Sequence, residues 1–246
     1  VLELAEIIER TAAVRERMAA AAARSGRSVG DVTLVAVTKT WPAELVVRAH
    51  QAGMTHVGEN RPEELAEKRP QVEAMISGDG LTWHMIGTLQ SRKSDLVAAQ
   101  ADVFHALDRL KIARRLSRDL DENGRTLPVF LEVNLSGEAS KAGYDCRNWE
   151  ADATQRHVLR TELQETAALP GLQVVGLMTM APWDVPPDDI RAVFRRTRQL
   201  RDWLRAEAPG LLGDRLSMGM TDDFELAIEE GATHIRVGRA LFGERG

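Results

Sequence analysis

Short apolar runs recur along the chain near residues 33–38, 55–58, 82–86, 103–106, 128–133, 173–178, 214–218 and 233–237. The first, Leu34-Val35-Ala36-Val37, holds four consecutive apolar residues, the habit of a strand buried on both faces in a parallel sheet covered by helices. Helical patterns fill most intervals, over 42–52, 61–76, 90–100, 109–122, 150–168, 188–207 and 221–230, and the last is only a short turn from Arg239 to Phe242. Roughly eight strands, each followed by a helix, predict an α/β fold of the (β/α)8 TIM-barrel kind. Ahead of the first strand, Leu4, Ile7, Ile8, Val14 and Met18 fall at helical spacing, which adds an N-terminal amphipathic helix up to about Ala23. A doubly wound sheet fits less well, because its Gly-rich first turn is replaced here by Thr40-Trp41-Pro42. No linker or shift of composition divides the chain, so residues 1–246 read as one domain. The longest irregular stretches, Gly137–Asn148 and Ala181–Asp189, follow the fifth and sixth strands and belong on the barrel's carboxyl face.

Composition narrows the function. Of 246 residues, 43% are hydrophobic, enough for a large core, and the net charge is −5 with both signs interspersed. Without a cationic block, neither nucleic acid nor an anionic membrane is a natural partner. The single cysteine, Cys146, excludes an intrachain disulfide and fits a reducing compartment. Glu3, Glu6 and Glu9 interrupt any apolar leader, so a cytoplasmic protein is expected. A monomer is the default, since no exposed apolar stripe is evident beyond the first helix.

The chemistry gathers at the strand ends. Lys39 closes the first run, where barrels keep their active groups, and a partly desolvated amine there suits Schiff-base formation with a carbonyl. On position alone, snorkelling into solvent is the more ordinary reading of such a lysine. Asn60, after the second run, could serve an aromatic hydroxyl or cap the helix beginning near Pro62. His84 is a base, a stacking partner or a hydrogen-bonded structural group. His105, Asp108 and Asn134 are individually weak candidates, and Met178 and Met180 read as packing. Ser217-Met218-Gly219-Met220-Thr221 and Arg236-Val237-Gly238-Arg239 close the last two strands, where barrels hold phosphate. Gly219 and Gly238 allow close backbone approach, and Ser217 adds a donor. Asp222 and Asp223 would repel a dianion, so the anion should sit nearer Gly238-Arg239. Alternation against Ile235 and Val237 aims Arg236 into the mouth, where it needs an acceptor. A ring nitrogen lone pair would serve, as would a carboxylate such as Glu132.

Taken together, these stretches resemble the pyridoxal phosphate homeostasis proteins, single-domain relatives of the N-terminal barrel of alanine racemase. The resemblance runs through Val35–Lys39, Gly58-Glu59-Asn60, Trp83–Gln90, Val133–Ser136, Lys141-Ala142-Gly143, Gly176-Leu177-Met178, Leu216–Thr221 and Arg236-Val237-Gly238, nearly the whole chain. It implies pyridoxal 5′-phosphate (PLP) as a Schiff base on Lys39. Ser217 and the backbone around Met218, Gly219, Gly238 and Arg239 would then hold the phosphate, with Arg236 at the pyridine nitrogen and Asn60 near the ring hydroxyl. Arg92, where the family usually has Asn, and a long 146–168 segment depart from the pattern, away from these residues.

Two function classes follow. A PLP-dependent amino-acid racemase needs acid and base groups on both faces of the ring. The related racemases draw the second from a C-terminal domain, whereas this chain ends at Gly246 and its one tyrosine, Tyr144, lies on a loop. The other class is a protein that holds PLP for intracellular vitamin B6 homeostasis or delivery to apo-enzymes, without robust catalysis, and the residues favour it. A Schiff-base aldolase shares the lysine and the phosphate cradle but usually takes its lysine from a middle strand. No metal is implied.

Overall fold

The computed structural model describes residues 2–76, 80–138 and 141–244. Among the described residues, nine strands form in chain order: β1 (Thr33–Val37), β2 (His56–Glu59), β3 (Thr82–Met85), β4 (Val103–Leu107), β5 (Leu127–Asn134), β6 (Tyr144–Asp145), β7 (Leu172–Met178), β8 (Arg215–Ser217) and β9 (His234–Val237). The order β4-β3-β2-β1-β9-β8-β7-β5, with β4 also paired to β5, closes a parallel barrel of eight strands. The sequence expectation is therefore met. The exception is β6, a two-residue strand in the loop after β5 that pairs with Val133 and Asn134 and extends the sheet beyond the barrel rim.

Helices α2 (Ala43–Gln51), α3 (Pro62–Met75), α4 (Ser94–Gln100), α5 (Leu110–Glu122), α6 (Ala153–Ala167), α7 (Pro187–Glu207), α8 (Phe224–Glu229) and α9 (Arg239–Phe242) ring the barrel. Each buries an apolar stripe; α5, for example, turns Ile112, Ala113, Leu116 and Leu120 inward. Because α9 is so short, it leaves part of the barrel wall bare. Helix α1 (Leu4–Arg24) covers that gap with Ile7, Val14, Met18, Ala21 and Ala22. It is fastened by Arg17 to Glu225 at 2.6 Å, by Arg24 to Glu229 at 2.7 Å, and by Arg27 to the carbonyls of Ile228 and Ala232.

Register sets which side chains share a level inside the barrel. Val35 pairs with Arg236 and Ala36 with Val237, while Ser217 pairs with His234. Strand alternation then sends Val35, Val37 and Lys39 inward together with His234, Arg236 and Gly238. Ser217 sits at the level of His234, below that of Arg236. Among the described residues, no helix is long and apolar enough to cross a membrane. No group of three or more His, Cys, Asp or Glu there could hold a metal ion.

Candidate functional site at the barrel mouth

At the carboxyl ends of the strands lies a cavity of about 260 Å³, lined by Lys39, Asn60, Arg236, Gly238 and Arg239 among others. Those five come from the carboxyl ends of β1, β2 and β9 and the start of α9, and all five are among the sequence candidates. Apolar walls come from Val37, Trp41, Ile86, Met180 and Trp183, and the remaining rim from Met220, Thr221, Asp222, Gly243 and Glu244. Met180 thus faces the mouth, whereas Met178 is core.

Lys39 stands in a tight turn just past β1. Trp41 N donates to Thr38 O at 3.1 Å, which makes Lys39 and Thr40 the two central residues of a β-turn. Thr40 has φ +68°, a left-handed conformation that glycine adopts freely and a β-branched residue resists. Helix α3 holds it there. Lys68 Nζ donates to Thr38 O at 2.9 Å, to Glu59 Oε1 at 2.7 Å and to Glu64 Oε1 at 2.9 Å. Glu64 Oε1 in turn accepts from Thr40 N. Both peptide groups flanking Lys39 are therefore tied to one buried ammonium–carboxylate cluster. Thr38 Oγ1 also donates to Glu59 Oε1 at 2.6 Å. Burial pushes the Glu59 carboxyl up to about 7, with Lys68 and Thr38 opposing the rise. Sequence reading missed this cluster, although Glu64 and Lys68, one helical turn apart, are a pattern it could have registered.

Arg236 points inward as alternation requires, and is only 5% exposed. Nη1 donates to Ser217 Oγ at 2.6 Å and Nη2 to Thr179 O at 3.0 Å, both uncharged acceptors. Burial lowers its pKa to about 10, with Asp223 and Glu132 acting on it through space in the opposite sense. A buried guanidinium held by two neutral oxygens keeps further N–H groups for a ligand acceptor.

The anion end differs in detail from expectation. Ser217 is fully buried, with its hydroxyl between Arg236 and His105. Met218 is likewise buried, and its N–H donates to His234 O within the sheet. Gly219 has φ +95°, and a Cβ there would lie 2.6 Å from that of Ala227, so packing against α8 dictates this glycine. None of the three lines the cavity. The groups that do are Met220 and Thr221, one step further along, and Gly238, which passes close enough to β1 that a Cβ would sit 3.3 Å from that of Val37. Thr221 belongs to the Ser217–Thr221 motif, which by itself gives it no role. Asp223 turns away from the mouth, its Oδ1 accepting from Met220 N at 2.5 Å, and Asp222 pairs with Arg239 at the rim.

Other candidates find structural partners. Asn60 does not cap α3, whose N-cap is Arg61 without a side-chain bond, so it stays at the mouth. Asn134 binds its own loop, with Nδ2 to Glu138 O at 2.9 Å and Oδ1 from Gly137 N at 3.0 Å. Residues 139–140 of the 137–148 loop lie outside the described residues. Tyr144 donates to Glu162 at 3.0 Å, and burial raises its pKa. Burial likewise raises the Cys146 thiol to about 12, which makes it inert. His84 and His105 lie inside the barrel, hydrogen-bonded to one another. Burial also raises Asp108, and lifts Glu132, one of whose oxygens has no partner, to about 7.

The chain matches known proteins over nearly its whole length. The family model described as alanine racemase, N-terminal domain, matches residues 10–246. A pyridoxal phosphate homeostasis protein of Aquifex aeolicus is 38% identical over 237 residues, covering 96% of this chain and 97% of the relative. One from Escherichia coli K12 is 38% identical over 247 residues, covering 98% and 97%. The structure of PipY from Synechococcus elongatus with PLP bound is 35% identical and superposes with a TM-score of 0.81 over 96% of this chain and 100% of PipY. On these matches, and with its closed barrel carrying a lysine turn on β1 and an inward arginine on β9, the chain belongs to the pyridoxal phosphate homeostasis proteins of the alanine racemase N-terminal domain fold.

Proposed function

We propose that this protein binds PLP as a Schiff base on Lys39 and serves intracellular vitamin B6 homeostasis or delivery, without sustained turnover of its own. The observation that carries the reading is the meeting of Lys39 and the buried Arg236 in one cavity. The residues present fit the cofactor. Lys39 offers the amine that condenses with the aldehyde, releasing water. Arg236 offers spare N–H groups to the ring nitrogen and, since it keeps its own protons, leaves that nitrogen unprotonated. Asn60 lies within the same walls for the ring hydroxyl, and Thr221, Gly238 and Arg239 frame the phosphate end. When bound, PLP supplies a reactive aldehyde and an electron-accepting ring; the chain covers them with Trp41, Ile86 and Trp183.

Racemisation is not favoured. The titratable groups lining the described cavity are Lys39, Asp222, Arg236, Arg239 and Glu244. Asp222 and the solvent-exposed Glu244 are both engaged by Arg239 at the rim, and Tyr144 is held by Glu162 outside the cavity. No group there is suited to a second proton transfer opposite Lys39.

Adding PLP to purified protein should give a near-visible imine band, and borohydride reduction should leave a pyridoxyl adduct that mass spectrometry maps to Lys39. Lys39→Ala should lose both signals; an adduct on another lysine refutes the assignment. Chiral analysis after incubation with a panel of amino acids separates holding from turnover, and steady conversion of any of them defeats the carrier reading.

A further inference from the structure

We propose that the barrel interior contains a one-way column of hydrogen bonds, from Arg236 through Ser217, His105 and His84 to His56, that aims the Arg236 guanidinium at the mouth. Ser217 and His105 are then positioning residues for a cation, not ligands of an anion. The consequence for bound PLP rests on the reading above; the column is a property of the chain alone.

The geometry is continuous. His56 Nδ1 lies 2.9 Å from His84 Nε2, His84 Nδ1 lies 2.8 Å from His105 Nε2, and His105 Nδ1 lies 2.8 Å from Ser217 Oγ. Arg236 Nη1 completes the line on the same serine oxygen at 2.6 Å. His84, His105, Ser217 and Arg236 are all at least nine-tenths buried, and His56 is half-buried at the opposite end of the barrel.

Each ring-to-ring contact needs one N–H and one lone pair, and a neutral imidazole has one of each. Two directions are therefore possible along the line, and the arginine selects between them. A guanidinium only donates, so Ser217 Oγ accepts from Arg236. The serine's own proton then needs an acceptor, and His105 Nδ1 is the partner at hand. That fixes His105 as the Nε2–H tautomer donating to His84 Nδ1, and His84 as the Nε2–H tautomer donating to His56 Nδ1. In the reverse direction His105 would also donate to Ser217, leaving a buried hydroxyl proton without an acceptor, a desolvation cost that disfavours it.

The surroundings keep the column neutral. Burial opposes the charged form of both His84 and His105, and neighbouring His56, His234 and the arginines Arg215 and Arg236 add to it. His234 packs beside them, its ring centroid 6.0 Å from that of His105 and 6.3 Å from that of His84, but its Nδ1 contacts Thr233 Oγ1 at 2.9 Å instead. Phe130 covers His105 with centroids 4.6 Å apart. A neutral column orients Arg236 without neutralising it, so its charge stays available at the mouth.

The test is a long-range 1H–15N correlation spectrum of uniformly 15N-labelled, PLP-free protein, which reports the protonated nitrogen of each histidine. His84 and His105 should both be neutral with the proton on Nε2 near pH 7. A charged ring, or a proton on Nδ1 of either, overturns the column, and this measurement needs no variant. In Ser217→Ala, His105 should lose its fixed tautomer while His234 keeps its own. Inorganic phosphate should compete with PLP for Ser217→Ala as well as for the parent. Phosphate binding weakened by about tenfold, the worth of one lost charge-assisted bond, would return Ser217 to the anion site and end the proposal. Failure of PLP to bind at all would instead remove the carrier reading and leave the tautomers standing.

Discussion

Replacing Lys68 by methionine tests whether α3 holds the reactive turn. The side chain is 7% exposed and that of Glu59 0%, so the pair is buried, and removing one partner of such a pair ordinarily costs about 3–5 kcal/mol. Here the lower end is expected. Glu59 is already raised to about 7 and can escape as the neutral acid near neutral pH, so Lys68→Met adds little uncompensated charge there. What remains is the lost donor to Thr38 O, the lost bond to Glu64, and the unsupported left-handed Thr40, at roughly 1 kcal/mol each, or about 3 kcal/mol in all. The pH dependence gives the signature. Without Lys68 the folded Glu59 holds its proton to still higher pH than the unfolded chain does, so stability falls as pH rises, and the deficit against the parent should widen above about pH 7. Urea denaturation across that range measures it. Glu59→Gln on the Lys68→Met background should recover much of the deficit at high pH, because the carboxyl that titrates is gone. Functionally, release of the Thr38–Lys39 peptide, with Glu64 left less firmly placed beneath Thr40 N, should lower the borohydride-trapped yield at limiting PLP. A Lys68→Met protein within about 1 kcal/mol of the parent at all pH values, with unchanged trapping, refutes the reasoning.

Glu132 offers a cleaner titration. Its carboxyl is 2% exposed and raised from the ordinary 4.5 to about 7 by burial and by Asp108, so the unfolded chain ionises first and stability should fall as pH rises through that window. At ~1.4 kcal/mol per pH unit the loss approaches roughly 3 kcal/mol, and Glu132→Gln should flatten that part of the stability–pH curve; an unchanged slope counts against it. At Gly87, an added Cβ would lie 2.3 Å from Asn60 O. Gly87→Ala should push the Asn60 backbone aside, costing about 1–3 kcal/mol in urea denaturation and weakening PLP binding in an absorbance titration; an unchanged affinity means Asn60 takes no part.

Much of this protein is written in local pattern. Runs such as Leu34–Val37 and helices such as α5 announce themselves because burial on two faces or along one stripe imposes a period, and periods survive in a linear text. Parallel strands joined by helices then leave few topologies, and barrel closure puts Lys39 and Gly238 on one face. Alternation even aimed Arg236 correctly. What pattern does not carry is the stagger between strands. Ser217 and Arg236 both point inward, yet the pairing of Ser217 with His234 sets the serine a level lower, beneath the mouth and against His105, 112 residues away. The same holds for Lys68, which reaches Thr38 across 30 residues, and for the walls of Trp41, Ile86 and Trp183, drawn from three separate loops. In-or-out is a property of each strand and is legible from its own residues. Height along the barrel axis depends on how neighbouring strands register, so only the closed barrel decides which inward group meets the ligand and which one props up another.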